Sequence, residues 1–408
     1  MVLAVSAFTC TEDLGSEHEL GWQCLKARAL NNNEVYLFTA GYVNSDIHEQ
    51  LGRHNLRNVV VHTVDFPKSV DGFLNATIGK GHLLTAYAWE FLLFFYMLRR
   101  FGKNQFDVGV KSTYAGYRWP SFLWYFSKQL HLDPVSGGGG FPLRFRTFLS
   151  AKAQRREFFR MFMQRVFYFD PFVLLTMLKA SELHVSNAET KAMTPKFLRK
   201  KCVLKNDFIK VDASDFKMEE ARRTVSVDPD ILKIFHTGKL LEWKGVMIIL
   251  RALALLPDSV KYEYTVMGSM SARQYYLDYI RQERLNVTFV DPEKVPRHDL
   301  SFYFFAHDLF TFAALHGDGG HAPVEAKMHG MRLLTLDFSG LEKTLTEDDI
   351  CIQTEALNEG EIVQQIAESI EDLYYKLKCP PSSVASSTSK HTTSAAELES
   401  NYSASSQS

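Results

Sequence analysis

Two α/β domains, each a parallel sheet wrapped by helices, are predicted by three observations. Short apolar runs of β type alternate with longer helical patterns, the alternation occurs twice with a break near residues 200 to 215, and glycine turns recur where a strand passes into a helix. With 408 residues the chain is long enough for two domains, each burying its own core.

The first series has strands at Val2–Thr9, Val35–Thr39, Val59–Val64, Asp107–Val110 and Glu182–Val185, with helices at Glu17–Leu30 and Leu83–Phe101 between them. The second has strands at Leu232–His236, Tyr262–Met267, Val287–Val290, Leu309–Phe312 and Leu333–Leu336. Its helices are Val246–Leu256, Ser271–Arg284 and Pro323–His329. Strands buried on both faces read as near-continuous apolar runs, as most of these do. The expected division is a Rossmann-like domain over 1–205, a second over 206–378, and a tail over 379–408. That tail is so rich in Ser and Thr that it cannot bury enough surface to offset its ordering entropy, and it is expected to be disordered.

Lys and Arg number 46 against 47 Asp and Glu, a net charge of -1, which argues against a protein whose task is to coat nucleic acid. The cysteines Cys10, Cys24, Cys202, Cys351 and Cys379 form no C-x-x-C pair and no zinc-type spacing, so a reducing compartment is expected. The N-terminus has neither a basic start nor a long apolar core and reads as a first strand. The most apolar run, Phe91–Leu98, falls well short of the roughly 20 residues of a membrane span and reads as a buried helix. The expected location is cytoplasmic.

Four segments carry chemistry. The first, Gly15 to Trp22, follows the first strand and opens a helix, where ligands of a doubly wound domain bind and helix N-terminal amides can face an anion; it reads equally as an ordinary N-cap. The second, Asp133 to Pro142, holds four consecutive glycines, Gly137 to Gly140, which let backbone approach a ligand closely; a flexible linker is the alternative. The third, His236 to Gly245, places Lys239 and Lys244 ahead of an apolar helix, a pair of ammonium groups suited to a diphosphate or, alternatively, to solvent. The fourth, Asp308 to Ala326, runs from a strand through a glycine turn into a helix with Glu325 in its first turn, where a carboxylate also serves the helix dipole.

In order and spacing these segments resemble glycosyltransferase family 4, retaining nucleotide-sugar enzymes of the GT-B fold, from about Ser6 to about Leu373. Gly15 to Trp22 is close to G-S-E-P-G-V-G-W; Asp107, Thr113, Tyr114 and Gly137 to Gly140 keep the frame of D-V-V-H-H-V-T-Y and G-P-V-G-G-G-E. Gly238 to Gly245 stands for G-R-L-x-x-W-K-G, and Leu315 to Ala326 for L-H-D-S-G-G-x-x-x-L-E-A.

The resemblance implies two facing Rossmann-like domains with a donor cleft between them, the first on the acceptor side and the second on the donor side. It implies sugar transfer from a nucleoside-diphosphate donor to a glycan, glycoconjugate or lipid-linked acceptor, with retention, and with no metal or other cofactor. Lys239 and Lys244 would hold the diphosphate and stabilise the leaving group, and Glu325 would bind the ribose hydroxyls. Asp318, Gly319, Gly320 and His321 would lie against the sugar and phosphates, with Gly15 and Ser16 facing the diphosphate from the other domain. Base contacts fall to the loops around Gly268 to Met270 and Val290 to Val295.

The sequence departs from that pattern in places. The family's first acid is Gly317, with Asp318 beside it as a substitute catalytic carboxylate; the histidines after Asp107 are Val110 and Lys111; the helices that usually follow are missing after Lys378. These departures keep open a catalytically silent scaffold that binds a sugar or a partner. Arg144 to Arg165 carries Arg144, Arg146, Lys152, Arg155, Arg156, Arg160 and Arg165 against Glu157, interleaved with Phe and Met, which suits either an anionic lipid surface or a solvated face. His316 and His321 read as loop and packing histidines.

Overall fold

The computed structural model of the chain describes residues 1–12, 16–31, 34–67, 82–114, 116–166, 169–205, 213, 216–226, 228–268, 273–317, 319–337, 340–341 and 344–379. The expected tail therefore lies, apart from Cys379, outside the described residues. Two compact units result. The first takes the described residues of Met1–Pro142, Ala151–Lys210 and His316–His321, and the second those of Leu143–Ser150, Val211–Leu315 and Ala322–Ser408.

The first unit is built on β1 (Val2–Ser6), α1 (Ser16–Leu30), β2 (Glu34–Thr39), α2 (Ile47–Arg53), β3 (Val59–Thr63), α3 (His82–Leu98), β4 (Phe106–Lys111), α4 (Leu123–Phe126) and β5 (Ser127–Val135). It continues with α5 (Ala151–Val166), α6 (Pro171–Lys179), β6 (Glu182–Val185), α7 (Ala188–Met193) and β7 (Cys202–Leu204). The strands form one parallel sheet in the order β3-β2-β1-β4-β5-β6-β7. Apolar cores lie against it around Trp89, Phe106 and Phe126, and around Trp22, Leu25 and Val35. Gly21 lets α1 lie against the loop after β1, since a Cβ there would sit 2.1 Å from the Thr9 carbonyl oxygen.

The second unit holds α8 (Met218–Thr224), β8 (Leu232–Thr237), α9 (Val246–Leu253), β9 (Tyr262–Met267), α10 (Arg273–Glu283), β10 (Val287–Val290) and α11 (Leu300–Ala306). Then come β11 (Leu309–Phe312), α12 (His321–Met328), β12 (Arg332–Leu336), β13 (Ile350–Ile352) and α13 (Glu359–Lys378). Its parallel sheet runs β10-β9-β8-β11-β12-β13. Almost every residue of α9 is buried, as its all-round apolar sequence requires. Helix α13 starts with a capping box: Asn358 Oδ1 accepts from the Glu361 amide (3.0 Å), and Glu361 Oε2 from the Asn358 amide (2.7 Å).

Several expectations change. Strands β5, β7 and β13 and helices α2, α4, α6, α7, α8 and α11 are not among the elements the sequence predicts; β5, Ser-Lys-Gln-Leu-His-Leu-Asp-Pro-Val, lacks an unbroken apolar run and contains Pro134. Phe91–Leu98 does lie in a helix, but Phe95 and Leu98 are exposed, so that helix is buried on one side only. The glycines after β5 belong to a loop inside the first unit: the Gly138 amide donates to Thr190 Oγ1 (3.0 Å), and a Cβ at Gly138 would stand 2.3 Å from Thr190 Cα. Within Arg144 to Arg165, Leu143–Ser150 packs with the second unit, where Arg144 Nη1 donates to the Glu355 carbonyl (2.7 Å), and the rest belongs to the first.

A buried carboxylate ties the middle of the first sheet to its surroundings. Asp133 on β5 lies 2.5 Å from Arg28 of α1, 3.1 Å from His184 of β6 and 3.4 Å from Lys205. Burial would raise its pKa, but the hydrogen bond from His184 and the charges of Arg28 and Lys205 outweigh burial and hold it far below the usual range. His131, Glu182 and His184 bring ligand atoms within 4.8 Å of one another, yet the His184 ring nitrogens already face Asp133 (3.1 Å) and Glu182 (2.7 Å), so the group acts as an ion-pair network. Asp133→Asn is expected to lower stability by about 3 kcal/mol, because it leaves Arg28 and His184 without their buried counter-charge. Urea unfolding followed by a signal from the first unit checks this; a loss under about 1 kcal/mol would place the weight elsewhere.

Candidate functional site

In an open parallel sheet, ligands bind at the carboxyl ends of the strands where the strand order reverses. In the second unit that point lies between β8 and β11, and the third and fourth sequence segments leave from those strands. After β8, Gly238 and Lys239 are exposed, and a single turn of 3₁₀-helix, Glu242–Lys244, leads into α9. The Lys244 ammonium lies over the rings of Trp243 (4.5 Å) and Phe312 (4.7 Å), held by cation–π attraction at the mouth of β11.

Glycine sets how closely these loops approach. Gly245 has φ 81, and a Cβ there would lie 1.8 Å from the Ala313 carbonyl oxygen. The loop after β8 is thereby pressed onto the loop after β11, and the Leu315 amide donates to the Trp243 carbonyl (2.8 Å). A Cβ at Gly268, after β9, would lie 2.1 Å from the Gly238 carbonyl oxygen, which brings these two expected donor residues together.

Helix α12 opens at half-buried His321 and carries Glu325, which is 4% exposed. Arg297 Nη2 donates to Glu325 Oε1 at 2.9 Å and orients the carboxylate. The partnership was not foreseen, since Arg297 lies in a 3₁₀ turn, Arg297–Asp299, with no sequence signal linking it to α12. Glu242 was also missed: Ser150 donates to it through its amide (2.5 Å) and hydroxyl (2.8 Å), fixing the segment Leu143–Ser150 to the lysine loop.

In the first unit the order reverses between β1 and β4. Lys111, at the end of β4, is buried and pairs with Glu90 of α3 at 2.6 Å, with Ser6 Oγ 3.4 Å from the same carboxylate oxygen. Burial pushes the Glu90 carboxyl up, against the charge of Lys111. Ser16 is the first residue of α1, and Glu17 beside it accepts from the Tyr114 amide (2.7 Å). Gly319 and Gly320 fall in the His316–His321 segment, which packs with the first unit. There His316 Nε2 lies 3.1 Å from Glu157 Oε2 on α5. Burial would raise the Glu157 pKa, but His316 and Arg160 hold it below the ordinary range. Gly15 and Asp318 lie outside the described residues.

Residues 217–378 match the family model described as Glycosyl transferases group 1. Among solved structures, the sucrose-phosphate synthase of Thermosynechococcus elongatus is similar with a TM-score of 0.57 and 15% identity, covering 93% of this chain and 100% of that one. WaaG, a glycosyltransferase involved in lipopolysaccharide biosynthesis, gives 0.54 and 14%, covering 93% of each chain. An E. coli trehalose-6-phosphate structure bound with UDP-2-fluoro glucose gives 0.50 and 11%, covering 93% and 96%. The fold is that of the GT-B glycosyltransferases. No curated protein matches the chain in sequence.

Two histidines of this GT-B chain tie its second-unit site to pH. His236, at the end of β8, donates from Nδ1 to the Thr311 carbonyl (2.9 Å), and burial lowers its pKa to about 4. His329, just after α12, donates from Nδ1 to the Glu325 carbonyl (2.7 Å) and reaches Ser301 through Nε2 (2.8 Å); burial lowers it to about 4 as well. The unfolded chain takes up these protons first, near pH 6.5, so stability is present above that pH and falls as pH drops toward about 4, by roughly 1.4 kcal/mol per unit for each histidine. The slope of unfolding free energy between pH 7 and 5 should therefore flatten in a His236→Asn/His329→Asn variant, and an unchanged slope would refute the assignment. Gly245→Ala should cost about 3 kcal/mol or more in the same measurement, because the new methyl meets the Ala313 carbonyl in a backbone conformation that L residues rarely adopt.

Proposed function

We propose that the chain is a retaining, metal-independent glycosyltransferase of family 4 type, moving a sugar from a nucleoside-diphosphate donor to a glycan, glycoconjugate or lipid-linked acceptor. The observation that carries the reading is the gathering of Lys244, Gly245 and the Ala313–Leu315 turn at the strand reversal of the second sheet, within the stretch that matches group 1 glycosyl transferases. The E. coli structure bound with UDP-2-fluoro glucose supports a nucleotide-sugar donor and makes uridine the first base to try.

In this reading Lys239 and Lys244 neutralise the diphosphate, most strongly as the sugar–phosphate bond breaks and charge builds on the leaving group. Glu325, oriented by Arg297, accepts from the ribose hydroxyls. Gly238 and Gly268 line the donor with backbone in the second unit, and the resemblance assigns Gly319, Gly320, His321, Gly15 and Ser16 to the donor as well. The resemblance gives Asp318 the role of the catalytic carboxylate. Lys111, paired with Glu90, stands where related enzymes present a histidine, and this pair together with Gly317 favours the second reading, a silent scaffold that binds sugar or a partner.

Incubation with UDP-, GDP-, ADP- and dTDP-sugars in EDTA should release nucleoside diphosphate from one donor, and NMR of the product should show the donor's anomeric configuration. Lys244→Ala and Glu325→Gln should each lower turnover at least about 100-fold, the usual scale for lost transition-state charge stabilisation or donor binding. Donor binding with no release beyond Glu325→Gln would establish the scaffold instead, and loss of activity in EDTA would remove the metal-independent mechanism.

A further inference from the structure

Helix α5 is amphipathic in the reverse of the usual sense. A surface helix ordinarily turns its apolar stripe inward and its charges to water. Here Glu157 and Gln164 are buried and Arg160 half-buried, whereas Phe158, Phe159 and Phe162 are 69%, 62% and 59% exposed. The inward polar stripe is fully engaged. Glu157 holds His316 (3.1 Å) and Arg160 (2.7 Å), Arg160 donates to the Gly139 carbonyl (3.4 Å), and Gln164 donates to that of Gly137. Because these bonds fix the rotation of the helix about its axis, its phenylalanines must face outward.

The exposed face does not end with α5. Phe169, between the two helices, is 86% exposed, and α6, bent 62° from α5, adds Phe172 and Leu178. Such a run of exposed large apolar side chains marks an interaction surface. Cations border it: Lys152, Arg155, Arg156 and Arg165 are exposed, and among the described residues none is paired with a carboxylate. No single helix among them is long and apolar enough to cross a membrane.

We propose that α5 and the start of α6 form a docking face for an anionic lipid surface, with Phe158, Phe159, Phe162 and Phe169 entering the headgroup–acyl boundary and the four cations facing lipid phosphates. Phenylalanine between arginines fits this occupant on both counts: the rings leave water for hydrocarbon, and each cation near an anionic surface adds a comparable attraction. A protein partner would leave four cations to be matched individually by acids, whereas a lipid surface neutralises them in any register. The face holds whether or not the chain turns over a sugar.

The test is co-sedimentation of the full chain with vesicles of phosphatidylcholine alone and of phosphatidylcholine with phosphatidylglycerol. Binding is expected only to the anionic vesicles and should weaken with salt. Phe158→Ser/Phe159→Ser/Phe162→Ser should abolish it, and Arg155→Gln/Arg156→Gln should weaken it about 30-fold. Because these side chains are exposed, the melting temperature should hold in both variants, which separates lost docking from lost fold. No binding to anionic vesicles, equal binding to both kinds, or self-association that the triple variant abolishes while vesicles go unbound would each overturn the proposal.

Discussion

A parallel strand pair cannot be closed by a tight turn, so each strand of these two sheets is followed by a crossover that carries the chain over one face. The rest of the molecule depends on that constraint. It forces helices onto both faces, buries the central strands, and collects every strand-to-helix loop along one edge of each sheet. The strand order reverses between β1 and β4 and between β8 and β11, the places where open parallel sheets bind their ligands. Three of the four chemistry-bearing segments leave from the strands at those two places, β1, β8 and β11, and the glycine segment leaves from β5.

Glycine then determines how tightly the loops close. At Gly245 and Gly268 a single added carbon would meet a carbonyl oxygen at 1.8 and 2.1 Å, so the loops after β8, β9 and β11 can touch only through bare backbone. The site's charges are fixed from outside those loops. Arg297 aims Glu325, Ser150 holds Glu242, and aromatic rings hold Lys244. The same logic operates in the first unit, where the polar stripe of α5 holds two glycine segments, Gly137 to Gly139 and the turn after His316, at the cost of turning its phenylalanines to the surface.

Much of this was legible in the sequence, for identifiable reasons. Strands such as Tyr262–Met267 and Val287–Val290 are legible with their observed ends because β-branched and aromatic residues run between turn residues there. Strand β5 was not legible, since Lys128, Gln129, His131, Asp133 and Pro134 interrupt its apolar residues. The lysine loop and the Glu325 helix were visible as local motifs. Their partners were not: Arg297 meets Glu325 and Ser150 meets Glu242 only through tertiary packing, as Glu90 meets Lys111 and Glu157 meets His316 in the first unit, and nothing in local spacing signals them.

Position 317 shows what a motif departure means physically. The resemblance places a carboxylate there, but the glycine in this chain adopts φ 143, a conformation that L side chains rarely take, so the loop could not keep its present path with an acid at that position. The turn is anchored by a carboxylate from elsewhere: Glu157, kept ionised by His316 and Arg160, approaches the residue immediately before it. The helix that holds this turn through Glu157 is the one whose orientation exposes the phenylalanine face. The positive φ of Gly317, the buried Glu157 and the outward rings of α5 meet in one packing arrangement.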